Sequence, residues 1–137
     1  MRGMKLPHLL AATLACAALA SCAQTPPAPA ASEPESARLG RELRTLIGPA
    51  RCSADAQCRT VPVGAKACGG PAGYWAWSTQ DTDADALKAL AARQADAHRR
   101  EIEASGLRSN CAMAADPGAA CIAGRCETLA APSRGAQ

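Results

Sequence analysis

The stretch CRTVPVGAKACGGPAGYWAWST, residues 58–79, decides which fold this chain can adopt. Its two ends, residues 58–63 and 73–78, have the composition of short strands, and a connection rich in glycine and proline joins them. The second strand holds every aromatic residue of the chain, namely Tyr74, Trp75 and Trp77. Because side chains alternate along a strand, both indoles point to one side and the phenol to the other. We therefore expect at least one tryptophan in the core and Tyr74 to be the more exposed ring.

Helices flank these strands in the sequence. The dominant helix is predicted over residues 81–105 and a shorter one over residues 36–47. One face of the long helix is marked by residues at helical spacing: Leu87, Leu90, Ala91, Gln94, His98 and Ile102. Residues 120–128 predict a hairpin, and Pro62 places its strand at a sheet edge because it has no N–H to donate. The sequence therefore predicts an α+β fold, with one long helix packed on a small antiparallel sheet, pinned by three disulfides and preceded by a short helix.

The three disulfides are inferred from the cysteine count. Apart from Cys16 and Cys22 near the amino terminus, the chain has six cysteines: Cys52, Cys58, Cys68, Cys111, Cys121 and Cys126. An even number in a small exported domain is typical of disulfides, and residues 36–129 contain only 13 Leu, Ile, Val and Met to form a core. Structural zinc sites usually have pairs of short cysteine knuckles, whereas this chain has only CIAGRC; thioredoxin-like redox sites need Cys-x-x-Cys, which is absent. We therefore expect no metal and no cofactor.

The favoured pairing joins neighbours in sequence: Cys52–Cys58, Cys68–Cys111 and Cys121–Cys126. Its basis is the hairpin, which turns at Ala123-Gly124 and should place Cys121 and Cys126 opposite each other, within reach of a disulfide. Six cysteines allow 15 connectivities, so this sequential pairing is one hypothesis among several.

Charge and chemistry argue against several classes of function. Removing Arg2 and Lys5 with a signal peptide reduces the 15 basic residues to 13, against 12 acidic ones, and no basic patch suited to nucleic acid remains. The alternating acids of residues 81–86, DTDADA, begin like a calcium loop but lack its glycine and final glutamate, so they are interpreted as a helix cap. His98 is the only histidine outside the signal, and no nucleophile accompanies it in the sequence. We therefore predict no catalytic residues and no enzyme activity.

The amino terminus resembles the signal of bacterial lipoproteins. A basic start precedes the apolar run of residues 9–20, which is too short to span a bilayer, and the lipobox Leu19-Ala20-Ser21-Cys22 follows. The resemblance implies cleavage before Cys22, lipidation of that cysteine and attachment to a lipid bilayer. Ala23, rather than aspartate, follows the lipidated residue, which in a Gram-negative source implies the outer membrane, facing the periplasm or the exterior.

The chain as a whole, with its lipobox, Pro/Ala-rich linker and CSADAQC and CIAGRC segments, resembles small cysteine-rich bacterial lipoproteins of uncharacterised function. The predicted organisation is a signal peptide at 1–21, a lipidated cysteine and tether at 22–35, a disulfide-stabilised domain at 36–129 and a disordered tail at 130–137.

Two functions follow from these observations as expectations. The first is a non-catalytic, lipid-anchored envelope protein that binds or supports an unknown envelope component, with Tyr74, Arg59 and Lys66 as candidate surface contacts. The second is an inhibitor of a periplasmic or host protease, in which the segment from Cys58 to Cys68 would present Arg59 or Lys66 to a trypsin-like pocket.

Overall fold

The computed structural model describes residues 32–130. Cys22, the lipobox, the signal and residues 131–137 of the predicted tail lie outside the described residues. The elements follow in chain order: α1 (Glu35–Ile47), a 3₁₀ turn (Asp55–Gln57), β1 (Cys58–Val63), β2 (Gly73–Ser78), α2 (Ala84–Ser105), β3 (Ala119–Ile122) and β4 (Arg125–Thr128). The α+β prediction is confirmed, and the strands form two antiparallel pairs, β1–β2 and β3–β4. Neither described helix is long and apolar enough to cross a membrane.

Pro62 lies in β1 at a position that an edge strand allows. Val61 lies opposite Trp75 and Pro62 opposite Tyr74. Thr79 N–H donates to the carbonyl of Gln57 at 2.9 Å, which fixes the alternation of hydrogen-bonded and non-bonded pairs along the ladder. Pro62 falls on a position whose backbone nitrogen points away from β2, so its missing N–H costs the ladder nothing.

The core lies between the two helices and the β1–β2 pair. It contains apolar side chains from all four elements: Leu39, Leu43 and Ile47 of α1, Val61 and Val63 of β1, Trp77 of β2, and Leu87 and Ala91 of α2. The predicted face of α2 is confirmed in its first part, where Leu87, Ala91 and Gln94 are buried; Leu90, His98 and Ile102 are half-buried, and the buried Ala97 was not predicted. The helix begins at an N-cap, Asp83, whose carboxylate accepts a hydrogen bond from Ala86 N–H at 2.7 Å, as expected of the acidic segment.

Polar side chains of α2 fix the helix against its neighbours. The buried Gln94 amide accepts a hydrogen bond from Gly64 N–H at 2.7 Å and donates to the carbonyl of Ser36 at 3.4 Å. His98 Nδ1 accepts a hydrogen bond from Ala65 N–H at 3.0 Å. His98 therefore contributes a structural contact at the end of β1.

A third polar contact joins the two helices. Glu101 accepts hydrogen bonds from the backbone N–H of Ser36, at 2.9 Å, and from its hydroxyl. These hydrogen bonds lower the pKa of Glu101 below its ordinary value, with a smaller contribution from His98 nearby. The carboxylate is thus held in its charged form at the start of α1.

The three predicted disulfides are present, but the sequential pairing is wrong for two of them. Cys68 bonds Cys111 as predicted, whereas the other bridges are Cys52–Cys121 and Cys58–Cys126. Cys121 and Cys126 do lie opposite each other across the hairpin. The hairpin packs this face against residues 52–58, however, so four sulfurs converge and proximity along the hairpin does not select the partner.

Candidate functional site

A groove lies where the end of α1, the middle of β2 and the strand β4 meet. It has a volume of about 400 Å³ and is open to solvent on one side. Its lining comes from three elements and the residue after α1: Arg44 and Ile47 of α1; Gly48; Tyr74, Trp75 and Ala76 of β2; and Cys126, Glu127 and Thr128 of β4. We refer to it below as the aromatic groove.

Trp75 is the largest side chain in this groove. Its indole is half-buried and packs at the edge of the core, while the guanidinium of Arg44 lies 3.9 Å from the ring centroid. A cation at this distance from an aromatic face is attracted by the ring quadrupole. Trp77, two residues further along the same strand face, is only 5% exposed and belongs to the core. The two tryptophans therefore have different surroundings, although they share one face of β2.

Tyr74 lines the same groove, on the other face of β2. The sequence predicts Tyr74 as the more exposed ring, but Tyr74 and Trp75 are both half-buried. Trp77 belongs to the buried core cluster, whereas Trp75 packs against the edge of that cluster. The expectation of at least one core tryptophan is confirmed by Trp77.

The other two predicted surface contacts do not join Tyr74. Arg59 Nη1 donates to the backbone carbonyls of Ala56 and Cys58 at 2.8 and 2.7 Å. Lys66 Nζ donates to the carbonyl of Ala112 and lines separate cavities beside the end of α2. Both cationic groups are therefore occupied by the protein's own backbone, and neither lines the aromatic groove.

The two charged residues of the groove were not identified from the sequence. Arg44 and Glu127 carry opposite charges on opposite walls, and neither forms an ion pair with a described residue. Arg44 is an exposed residue of α1 and reads in the sequence as an ordinary surface charge. It lies one helical turn after Gly40, which is close to the edge of Trp75, but this proximity is visible only in the fold. Nothing in the sequence around Glu127 indicates that β4 forms the facing wall.

The backbone of β2 also contributes to the groove. In an antiparallel ladder the hydrogen-bonded positions recur at every second residue. From the bond between Thr79 and Gln57, the residues of β2 that bond β1 are Trp77 and Trp75. The N–H and C=O groups of Tyr74 and Ala76 therefore point away from β1, and β2 has no second strand neighbour among the described residues.

The clustered sulfurs could be mistaken for a metal site. Within the described chain, the Sγ atoms of Cys52, Cys58 and Cys126 lie within 4.8 Å of one another. All three belong to disulfides, and a disulfide sulfur cannot act as the thiolate ligand that a metal requires. Their arrangement serves to hold β4, one wall of the groove, against β1.

The chain matches no family model, no curated protein and no solved structure.

Proposed function

We propose that this protein is a non-catalytic, lipid-anchored protein of the cell envelope, and that its disulfide-stabilised domain binds another envelope component through the aromatic groove. The observation that carries the proposal is the half-buried Trp75, with Arg44 over its face and Tyr74 beside it, in an open groove. Tryptophan, tyrosine and arginine are the residues that most often dominate binding energy at protein interfaces.

The disulfides favour binding by making the groove rigid before a partner arrives. Cys58–Cys126 joins β4 to β1, and Cys52–Cys121 joins β3 to the segment that follows α1. A preformed surface loses less conformational freedom on binding, so more of the contact energy appears as affinity.

The membrane anchor is proposed from the lipobox resemblance, with Cys22 as the acylated residue. The tether that follows would allow the domain to reach a partner in the envelope. Replacement of Cys22 with alanine should abolish palmitate labelling and release the protein from membranes. A Cys22→Ala protein that is still labelled and membrane-bound would refute the anchor.

The groove is tested by affinity capture from envelope extracts of the native organism. The immobilised domain is compared with Tyr74→Ala and with Arg93→Ala, which changes an exposed residue of α2 outside the groove. A partner that binds the groove should be retained by the wild type and Arg93→Ala and lost with Tyr74→Ala. Equal retention by all three proteins, or retention of nothing, would contradict the proposal.

The protease-inhibitor alternative has no comparable observation in its favour. An inhibitor presents its specificity residue away from its own body, whereas Arg59 and Lys66 both donate to backbone carbonyls within the domain. We therefore expect the purified domain to leave trypsin-like proteases active at micromolar concentrations.

A further inference from the structure

We propose that the partner, given the binding function above, is an extended polypeptide segment that adds as a strand to the free edge of β2. The four backbone groups of Tyr74 and Ala76 that point away from β1 are two donors and two acceptors in the spacing of a strand edge. A peptide bound in this way gains affinity from main-chain hydrogen bonds and specificity from contacts with alternate side chains.

The two edges of the β1–β2 pair differ in a way that supports this choice. On β1, the outward position opposite Tyr74 is Pro62, which has no N–H, and the neighbouring outward residue Thr60 donates its hydroxyl to Asp116 at 2.7 Å. Proline on an edge strand prevents another strand from adding. The β2 edge has no proline between Gly73 and Ser78, so it can accept a strand where the β1 edge cannot.

The shape of the groove selects a single chain rather than a second copy of this domain. The β2 edge is recessed between Arg44 and Ile47 on one side and Glu127 and Thr128 on the other. In a symmetric dimer through β2, each edge would be flanked in the same way, so the walls of one domain would face those of the other. One extended peptide brings no walls of its own.

The charges of the groove indicate the chemistry of the segment. The guanidinium of Arg44 and the carboxylate of Glu127 stand on opposite walls, without an ion-pair partner among the described residues. A segment with an acidic side chain on one side and a basic one on the other complements both walls. Between them, the exposed part of the Trp75 indole that Arg44 does not cover suits an apolar side chain of the peptide.

The probe for this proposal is a random peptide library displayed on phage and selected against the oxidised domain. Selected peptides are synthesised and titrated against the wild type, Ala76→Pro and Ala76→Ser. Ala76→Pro removes the outward N–H, as Pro62 does on β1, whereas Ala76→Ser keeps it. We expect Ala76→Pro to weaken binding about tenfold or more and Ala76→Ser to leave it nearly unchanged.

A second measurement uses the wild-type protein alone, so it does not depend on the folding of a proline variant. Successive N-methylation of the peptide backbone should weaken binding at every second residue, the period of a strand. Binding that is unaffected by Ala76→Pro and shows no period of two would overturn strand addition while leaving the groove as a side-chain binding site. A library that yields no peptide with a Kd below about 100 µM would also overturn strand addition. Whether the groove binds a partner at all is decided separately, by the capture experiment with Tyr74→Ala.

Discussion

Deleting the two bridges of the β3–β4 hairpin, first singly and then together, tests how this fold is stabilised. Cys52–Cys121 and Cys58–Cys126 have sequence separations of 69 and 68 residues. Once either bridge is formed, the other closes only a ring of about 11 residues, six from Cys52 to Cys58 and five from Cys121 to Cys126. The contribution of each bridge to the free energy of unfolding therefore depends on whether the other is present.

The chain-entropy relation gives the size of the effect. Because Cys68–Cys111 stays intact, the first bridge closes a ring of about 26 residues, 16 from Cys52 to Cys68 and 10 from Cys111 to Cys121, and stabilises the domain by about 3.5 kcal/mol. The second bridge closes the ring of about 11 residues and adds about 2.8 kcal/mol. Replacing either pair with alanine should therefore cost about 2.8 kcal/mol, and replacing both about 6.3 kcal/mol, which exceeds the sum of the two by about 0.7 kcal/mol. Replacing Cys58 and Cys126 also removes two buried sulfurs, which should add about 1 kcal/mol to the cost of that double variant. A small domain has about 5–15 kcal/mol in total, so we expect the quadruple variant to lose roughly half of its stability or more.

Urea unfolding at constant temperature, followed by the fluorescence of the buried Trp77, measures these costs. If the neighbours in sequence were bonded instead, each pair replacement would break both short bridges. The two double variants would then be as unstable as the quadruple variant, and that result would refute the pairing and the reasoning together.

Three further measurements test the packing. Gly64→Ala should cost about 2 kcal/mol in urea unfolding, because residue 64 has a φ of +68° and an added Cβ would lie 2.8 Å from a neighbouring atom; unchanged stability would contradict this. Because hydrogen bonds from Ser36 lower the pKa of Glu101 below 4.5, the charged carboxylate stabilises the fold above that pH, and this contribution is lost as the pH falls through the lowered pKa. Ser36→Ala should therefore cost about 1 kcal/mol near neutral pH and progressively less in acid, and a cost independent of pH would show that Glu101 is not involved. Acrylamide should quench Trp75 in a Trp77→Phe protein much more than Trp77 in a Trp75→Phe protein, whereas equal quenching would place both indoles in one environment.

Much of the fold follows from periodicity. The alternation of residues 73–78 predicts that Trp75 and Trp77 share a face, and the helical spacing of Leu87, Ala91 and Gln94 predicts the buried face of α2. These patterns are local, because a side chain's direction depends on the backbone near it. Pro62 likewise indicates a strand edge through its own chemistry.

The rest depends on contacts between distant segments. The hairpin geometry places Cys121 opposite Cys126, as predicted, but which sulfurs bond depends on the segment against which the hairpin packs. The aromatic groove is missed for the same reason, since Arg44 and Glu127 come from opposite ends of the domain. Their charges are ordinary surface charges until the fold brings them to facing walls.

The most direct test of the aromatic groove as a binding surface is site-specific photo-crosslinking in intact envelopes. A photoreactive benzoyl-phenylalanine replaces Tyr74 in one protein and Arg93, on the exposed side of α2, in another. Irradiation should give a discrete crosslinked product from position 74 and none from position 93. No product from position 74, or the same product from both positions, would contradict binding through the groove.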